Sequence, residues 1–66
     1  MHIEMLIKEE REKRGMTITK LSKKSGVSAA HLSDIEKNFK SPSLLVMVKI
    51  AKALDVDVTQ LYKVQW

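Results

Sequence analysis

Between Ile18 and Ile35 the chain reads ITKLSKKSGVSAAHLSDI, and the spacing inside this stretch leaves little choice of shape. Counting Ile18 as the first place, the small residue Ser22 stands fifth, Gly26 ninth, Val27 tenth, Leu32 fifteenth and Ile35 eighteenth. A small side chain at the fifth place lets two helices approach closely, and glycine accepts the positive φ of a sharp bend between them. Thr17 and Ser28 stand where N-caps are needed for the two helices. Val27, Leu32 and Ile35 then glue the second helix to its neighbours. An ordinary helical hairpin in a bundle is the competing arrangement, but caps, glycine and spacing agree on the tighter corner.

The rest of the chain divides around that corner into helix-length pieces without convincing strands. A first helix is expected from about His2 to Arg14, with Ile3, Leu6, Ile7 and the stem of Arg11 on one face and Gly15 just past its end. Ile18, Leu21 and Ser22 form the inward stripe of helix 2, while Lys20, Lys23 and Lys24 point elsewhere. After helix 3 and the FKSP loop, Ser43 caps a fourth helix whose apolar face is Leu44, Met47, Ile50, Ala51 and Leu54. Asp57 with Gln60 makes a capping box for a short fifth helix carrying Val58, Leu61 and Tyr62. The final KVQW is too short to assign. The expectation is an all-α, five-helix bundle spanning 1–66 as one unit.

Composition removes several alternatives. With 66 residues and no cysteine, disulfides and thiolate metal sites are out, and the two histidines lack a partner motif, so neither metal nor cofactor is expected. The uncharged runs are too short for a membrane span, and the acidic start MHIEMLIKEE is unlike a signal peptide, which points to a cytoplasmic protein. No nucleophile stands with a base, no carboxylate pair marks a rigid face, and no glycine loop cradles phosphate; the chain does not read as an enzyme. The formal charge is +4. It is concentrated before Gly26, while residues 27–43 balance Lys37 and Lys40 against Asp34 and Glu36.

Five blocks in one order carry a family resemblance: I-K-x-x-R-x-x-x-G at Ile7–Gly15, L-x-x-x-x-G-V-S at Leu21–Ser28, L-S-x-I-E at Leu32–Glu36, P-S-L at Pro42–Leu44 and K-I-A-x-A-L-x-V at Lys49–Val56. Over residues 3–62 the chain resembles the Cro and lambda-repressor (XRE-type) helix-turn-helix domains. The resemblance implies a double-stranded DNA-binding transcriptional regulator, a small repressor acting as a homodimer, with helix 3 (about 29–37) in the major groove. It also implies a partly buried ion pair between Arg11 and Glu36 that would hold helix 3 at its docking angle. The matching phosphate-holding positions are Thr17, Ser28, His31, Lys37, Asn38, Lys40 and Ser41, and the base-facing ones are Ala29, Ala30, Ser33 and Asp34.

These side chains make a thin reading head. Alanine has neither donor nor acceptor and can only set a methyl against thymine, while Asp34 can accept from a cytosine amino group. Ile18 stands where the family usually has a phosphate-anchoring glutamine. The expectation is a shape-dependent or modestly specific binder that needs two half-sites. Leu45 and Val48, off the inward stripe of helix 4, join Tyr62, Val64 and Trp66 as the expected dimer interface. The alternative is a protein-interaction module, such as an antirepressor or antitoxin, that keeps the fold and binds a protein partner through the same apolar residues.

Overall fold

Three hydroxyls start three helices. The side-chain oxygens of Thr17, Ser28 and Ser43 accept from the backbone N–H of Lys20, His31 and Val46 at 3.1, 3.1 and 3.2 Å. In the computed structural model, which describes residues 1–66, the elements in order are β1 (His2–Met5), α1 (Ile7–Lys13), α2 (Ile18–Ser25), α3 (Ala29–Glu36), α4 (Leu44–Leu54), a 3-10 turn (Val58–Leu61) and β2 (Tyr62–Gln65).

The expected all-α, five-helix architecture is therefore corrected to four α-helices and a two-stranded sheet. β1 and β2 pair antiparallel, with Ile3 opposite Val64 and Met5 opposite Tyr62. Ile3, Val64 and Tyr62 are β-branched or aromatic, types that favour a pleated, half-buried surface. Ile3 and Ile7 also stand at helical spacing, so the first residues fit either period. The pairing is decided by a partner at the other end of the chain. The Leu6 N–H donates to the Leu61 carbonyl at 2.8 Å, and helix begins only after that anchor.

The fifth helix shrinks to one turn. Its capping box forms as expected: Asp57 accepts from the Thr59 N–H at 2.9 Å and Gln60 from the Asp57 N–H at 3.0 Å. Beyond Leu61 the backbone becomes extended to meet β1, so Tyr62 and the unassigned KVQ belong to a strand.

The core is one cluster drawn from every helix and the 3-10 turn, with Ile7, Leu21, Leu32, Ile35, Ile50 and Leu61 fully buried. α4 lies against α2 and the turn, and α2 against α3. Leu44, expected to face inward, is instead 74% exposed at the rim of a shallow groove that it shares with Ile3, Met5, Pro42, Met47, Val58 and Tyr62. Gly26 takes φ +76° at the corner between α2 and α3, and its N–H closes on the Ser22 carbonyl at 2.9 Å. That left-handed residue makes the short connection possible and aims α3 outward.

Candidate nucleic-acid interface

At about 100° per residue, Ala29, Ala30, Ser33, Asp34 and Lys37 fall within about 140° of the α3 surface, opposite Leu32 and Ile35. The burial follows this division: Leu32 and Ile35 are fully buried, Ala29, Ala30 and Lys37 are exposed, and Ser33, Asp34 and His31 are half-buried. The two aliphatics dock the helix, and their docking leaves the alanine face uncovered.

Arg11 on α1 and Glu36 at the end of α3 pair beneath that face. The guanidinium makes two parallel bonds to the carboxylate, Nε to Oε2 at 2.9 Å and Nη2 to Oε1 at 3.0 Å. The two side chains are only 11% and 5% exposed. The third nitrogen, Nη1, donates to the Met16 carbonyl at 2.9 Å, so one side chain ties α1, the turn before α2 and the end of α3 together. Hydrogen bonding to Glu36 holds the Arg11 proton more tightly than in a free arginine, against the opposing effect of burial. A planar fork matching a carboxylate resists rotation in a way that a point charge does not.

Thr17 and Ser28 are exposed at the starts of α2 and α3. Each hydroxyl oxygen accepts a backbone N–H, which leaves its own O–H free to donate outward. Lys37, Asn38, Lys40 and Ser41 are all exposed on the segment that leaves α3, and Asn38 takes the left-handed conformation with φ +61°. Lys40 lies 3.8 Å from Asp34. This loose pair, which no sequence motif marks, places an ammonium beside the one acid on the outer face of α3 and partly neutralises it. Lys20, Lys23, Lys24 and Lys37 have no carboxylate within ion-pair distance. Phe39, between Asn38 and Lys40, is an exposed aromatic that the sequence reading left unassigned.

A second unanticipated network sits on α1. Glu10 accepts from Lys13 at 3.1 Å and from Arg14 at 3.0 Å, and these two hydrogen bonds hold its carboxyl below the usual range. Asp57 is lowered likewise, first by the Thr59 backbone N–H and then by the Thr59 hydroxyl. Both are local clasps, one on α1 and one at the start of the 3-10 turn. No group of three or more His, Asp or Glu side chains is arranged to hold a metal ion.

A sequence model described as helix-turn-helix matches residues 7–61. The chain belongs to the Cro/lambda-repressor (XRE-type) helix-turn-helix family. Among curated relatives of this helix-turn-helix domain, the HTH-type transcriptional regulator SinR of Bacillus subtilis is 38% identical over 53 residues, covering 79% of this chain and 48% of SinR. The HTH-type transcriptional regulator SutR of Escherichia coli is 40% identical over 50 residues, covering 76% of this chain and 28% of SutR. The domain thus spans half or less of these relatives. Among solved structures, the N-terminal DNA-binding domain of SinR superposes with a TM-score of 0.77 at 36% identity, covering 82% of this chain and 80% of that one. The restriction-modification controller protein C.AhdI of Aeromonas hydrophila gives 0.80 at 26% identity, with 82% of each chain covered.

The family match ends where the strand pair begins, so the terminal ribbon lies outside it. The chain also carries uncovered apolar surface. Trp66 is 94% exposed and Leu45 64%, Val48 is exposed too, and Tyr62 and Val64 are half-buried in β2. No helix is long and apolar enough to cross a membrane.

Proposed function

We propose that this chain is a double-stranded DNA-binding transcriptional regulator that acts as a homodimer, each copy laying α3 in the major groove. The observation that carries the reading is the uncovered face of α3. Leu32 and Ile35 are fully buried while Ala29, Ala30 and Lys37 stay exposed, beside outward-facing hydroxyls and lysines. Residues 1–66 act as one unit, in the cytoplasm with the DNA, and the work is occupancy rather than catalysis. Thr17, Ser28, His31, Lys37, Asn38, Lys40 and Ser41 hold the phosphates. Ala29, Ala30, Ser33 and Asp34 meet the base edges. Because the alanines offer methyls and no hydrogen bonds, discrimination leans on DNA shape and on the spacing of two half-sites. Leu45 and Val48 on α4 with Tyr62, Val64 and Trp66 supply the contact between copies.

The test is an electrophoretic shift with mixed-sequence duplex at low salt, comparing the natural chain with Ala30→Glu. Ala30 is exposed, so the substitution leaves the core intact while setting a carboxylate against the groove. Binding should fall by more than about tenfold, the scale of one lost favourable contact plus repulsion. Equal binding by both proteins would remove α3 from the interface.

The exposed apolar side chains favour one rival, a module that binds a different protein through Leu45, Val48 and Trp66. Such a module would leave mixed-sequence duplex unshifted even at low salt.

A further inference from the structure

β1 runs beside the segment that leaves α3. His2, Ile3 and Met5 form one wall of a groove of about 380 Å³, and Asn38, Lys40, Ser41 and Pro42 form the other. The groove joins residues from inside the family match to residues that precede it. The polar residues that line it are a histidine, a lysine, an asparagine and a serine, with no acidic residue among them. The side chains of His2, Asn38 and Ser41 make no hydrogen bond within the chain, and Lys40 has only its 3.8 Å contact with Asp34. Three residues with unpaired donors, His2, Asn38 and Ser41, beside an ammonium held only loosely by Asp34, suit an anion that offers several oxygens. Ile3 and Met5 on one wall and Pro42 on the other add apolar surface that suits the carbon face of a deoxyribose.

We propose that this groove is a further DNA-backbone site, in which a phosphodiester lies between the His2 imidazole and the Lys40 ammonium. Asn38 and Ser41 donate to its remaining oxygens. The site rests on the DNA-binding reading above and extends it, because it makes the terminal ribbon part of the interface. A strand end is a firm place for such a contact. His2 is held in register opposite Gln65, so its backbone is positioned before DNA arrives. The ribbon would add a grip on the strand already held by the 37–41 segment. That grip carries no sequence information, as phosphate contacts in general do not.

The experiment is fluorescence anisotropy of a labelled mixed-sequence duplex, long enough for two half-sites, at low salt with the full chain. The variants are His2→Ala, His2→Gln and Lys40→Ala, each checked for unchanged thermal unfolding. His2→Ala should weaken binding about fivefold, the scale of one ordinary hydrogen bond. His2→Gln keeps an N–H donor at the same strand position and should recover most of the loss. Lys40→Ala should weaken binding and reduce the slope of log affinity against log salt by about one. If His2→Ala binds like the natural chain, the groove site is wrong while the DNA-binding reading stands. Equal losses for the alanine and glutamine variants would mean that His2 only supports the ribbon, and would overturn the site. If the natural chain fails to bind duplex at all, both readings fall. A parallel titration with inorganic phosphate follows the His2 ring protons by NMR. Perturbation by free phosphate with none by duplex would make the groove an anion site unconnected with DNA, and would also overturn the proposal.

Discussion

Arg11 spends its whole guanidinium on two partners, the Glu36 carboxylate and the Met16 carbonyl, where almost no water reaches the pair. A pair so placed is weak evidence for net stability, since two charges have left water, but breaking it from one side strands the other charge. Arg11→Ala and Glu36→Gln should therefore each lower unfolding free energy by about 3 kcal/mol, and the double variant by much less than the sum. A double-mutant cycle in urea measures this directly; additive losses would mean that the two side chains do not act together. The same residues show what could be read in advance. Ile7, Arg11 and Gly15 fall into one recognisable block, and the L-S-x-I-E block supplies Glu36. The Asp34–Lys40 contact had no such signal, because it depends on where a flexible side chain settles on a folded surface, whereas Lys13 and Arg14, three and four residues after Glu10, mark the Glu10 clasp in the sequence. Leu44 followed the helical period yet stands at a rim, since period gives direction and not the extent of the neighbour it meets.

At the scale of elements, local chemistry was legible and distant pairing was not. Thr17, Ser28, Ser43 and the Asp57–Gln60 box all start the helical turns expected of them, because a cap and its N–H lie within three residues of each other. β1 and β2 join residues 2–5 to residues 62–65, and neither strand carries a turn signal that would reveal its partner. The cost of that blindness was functional as well as architectural, since the groove beside His2 exists only once the ribbon has formed. α4 raises a separate question at this scale, with Leu45 and Val48 exposed along it. Changing both to glutamate should leave the helix content unaltered and convert a dimer into monomers, read by light scattering over a concentration series. An unchanged mass, or a natural chain that is already monomeric, would move the contact between copies elsewhere or abolish it.

For the whole molecule, the acid limb of stability follows from its two lowered carboxyls. Glu10 and Asp57 hold their protons less tightly when folded than when unfolded. Their contribution is thus fully present above the ordinary carboxylate range, about pH 4, and is lost as pH falls through the lowered values. Urea midpoints should be nearly level from neutrality down to that range and then decline, and Asp57→Asn should flatten the decline. A decline that begins well above the carboxylate range would point to other groups. The charge of the molecule bears on function at the same scale. The net +4 is modest, but Lys20, Lys23, Lys24 and Lys37 are outside ion pairs and free to displace counterions from a duplex. The most direct test of a DNA-gripping α3 surface is therefore the affinity for mixed-sequence duplex measured across a salt series. The expected result is binding at low salt with log affinity falling against log salt at a slope steeper than about −2, made shallower by Lys37→Ala. No binding at low salt, or an affinity indifferent to salt, would contradict the account.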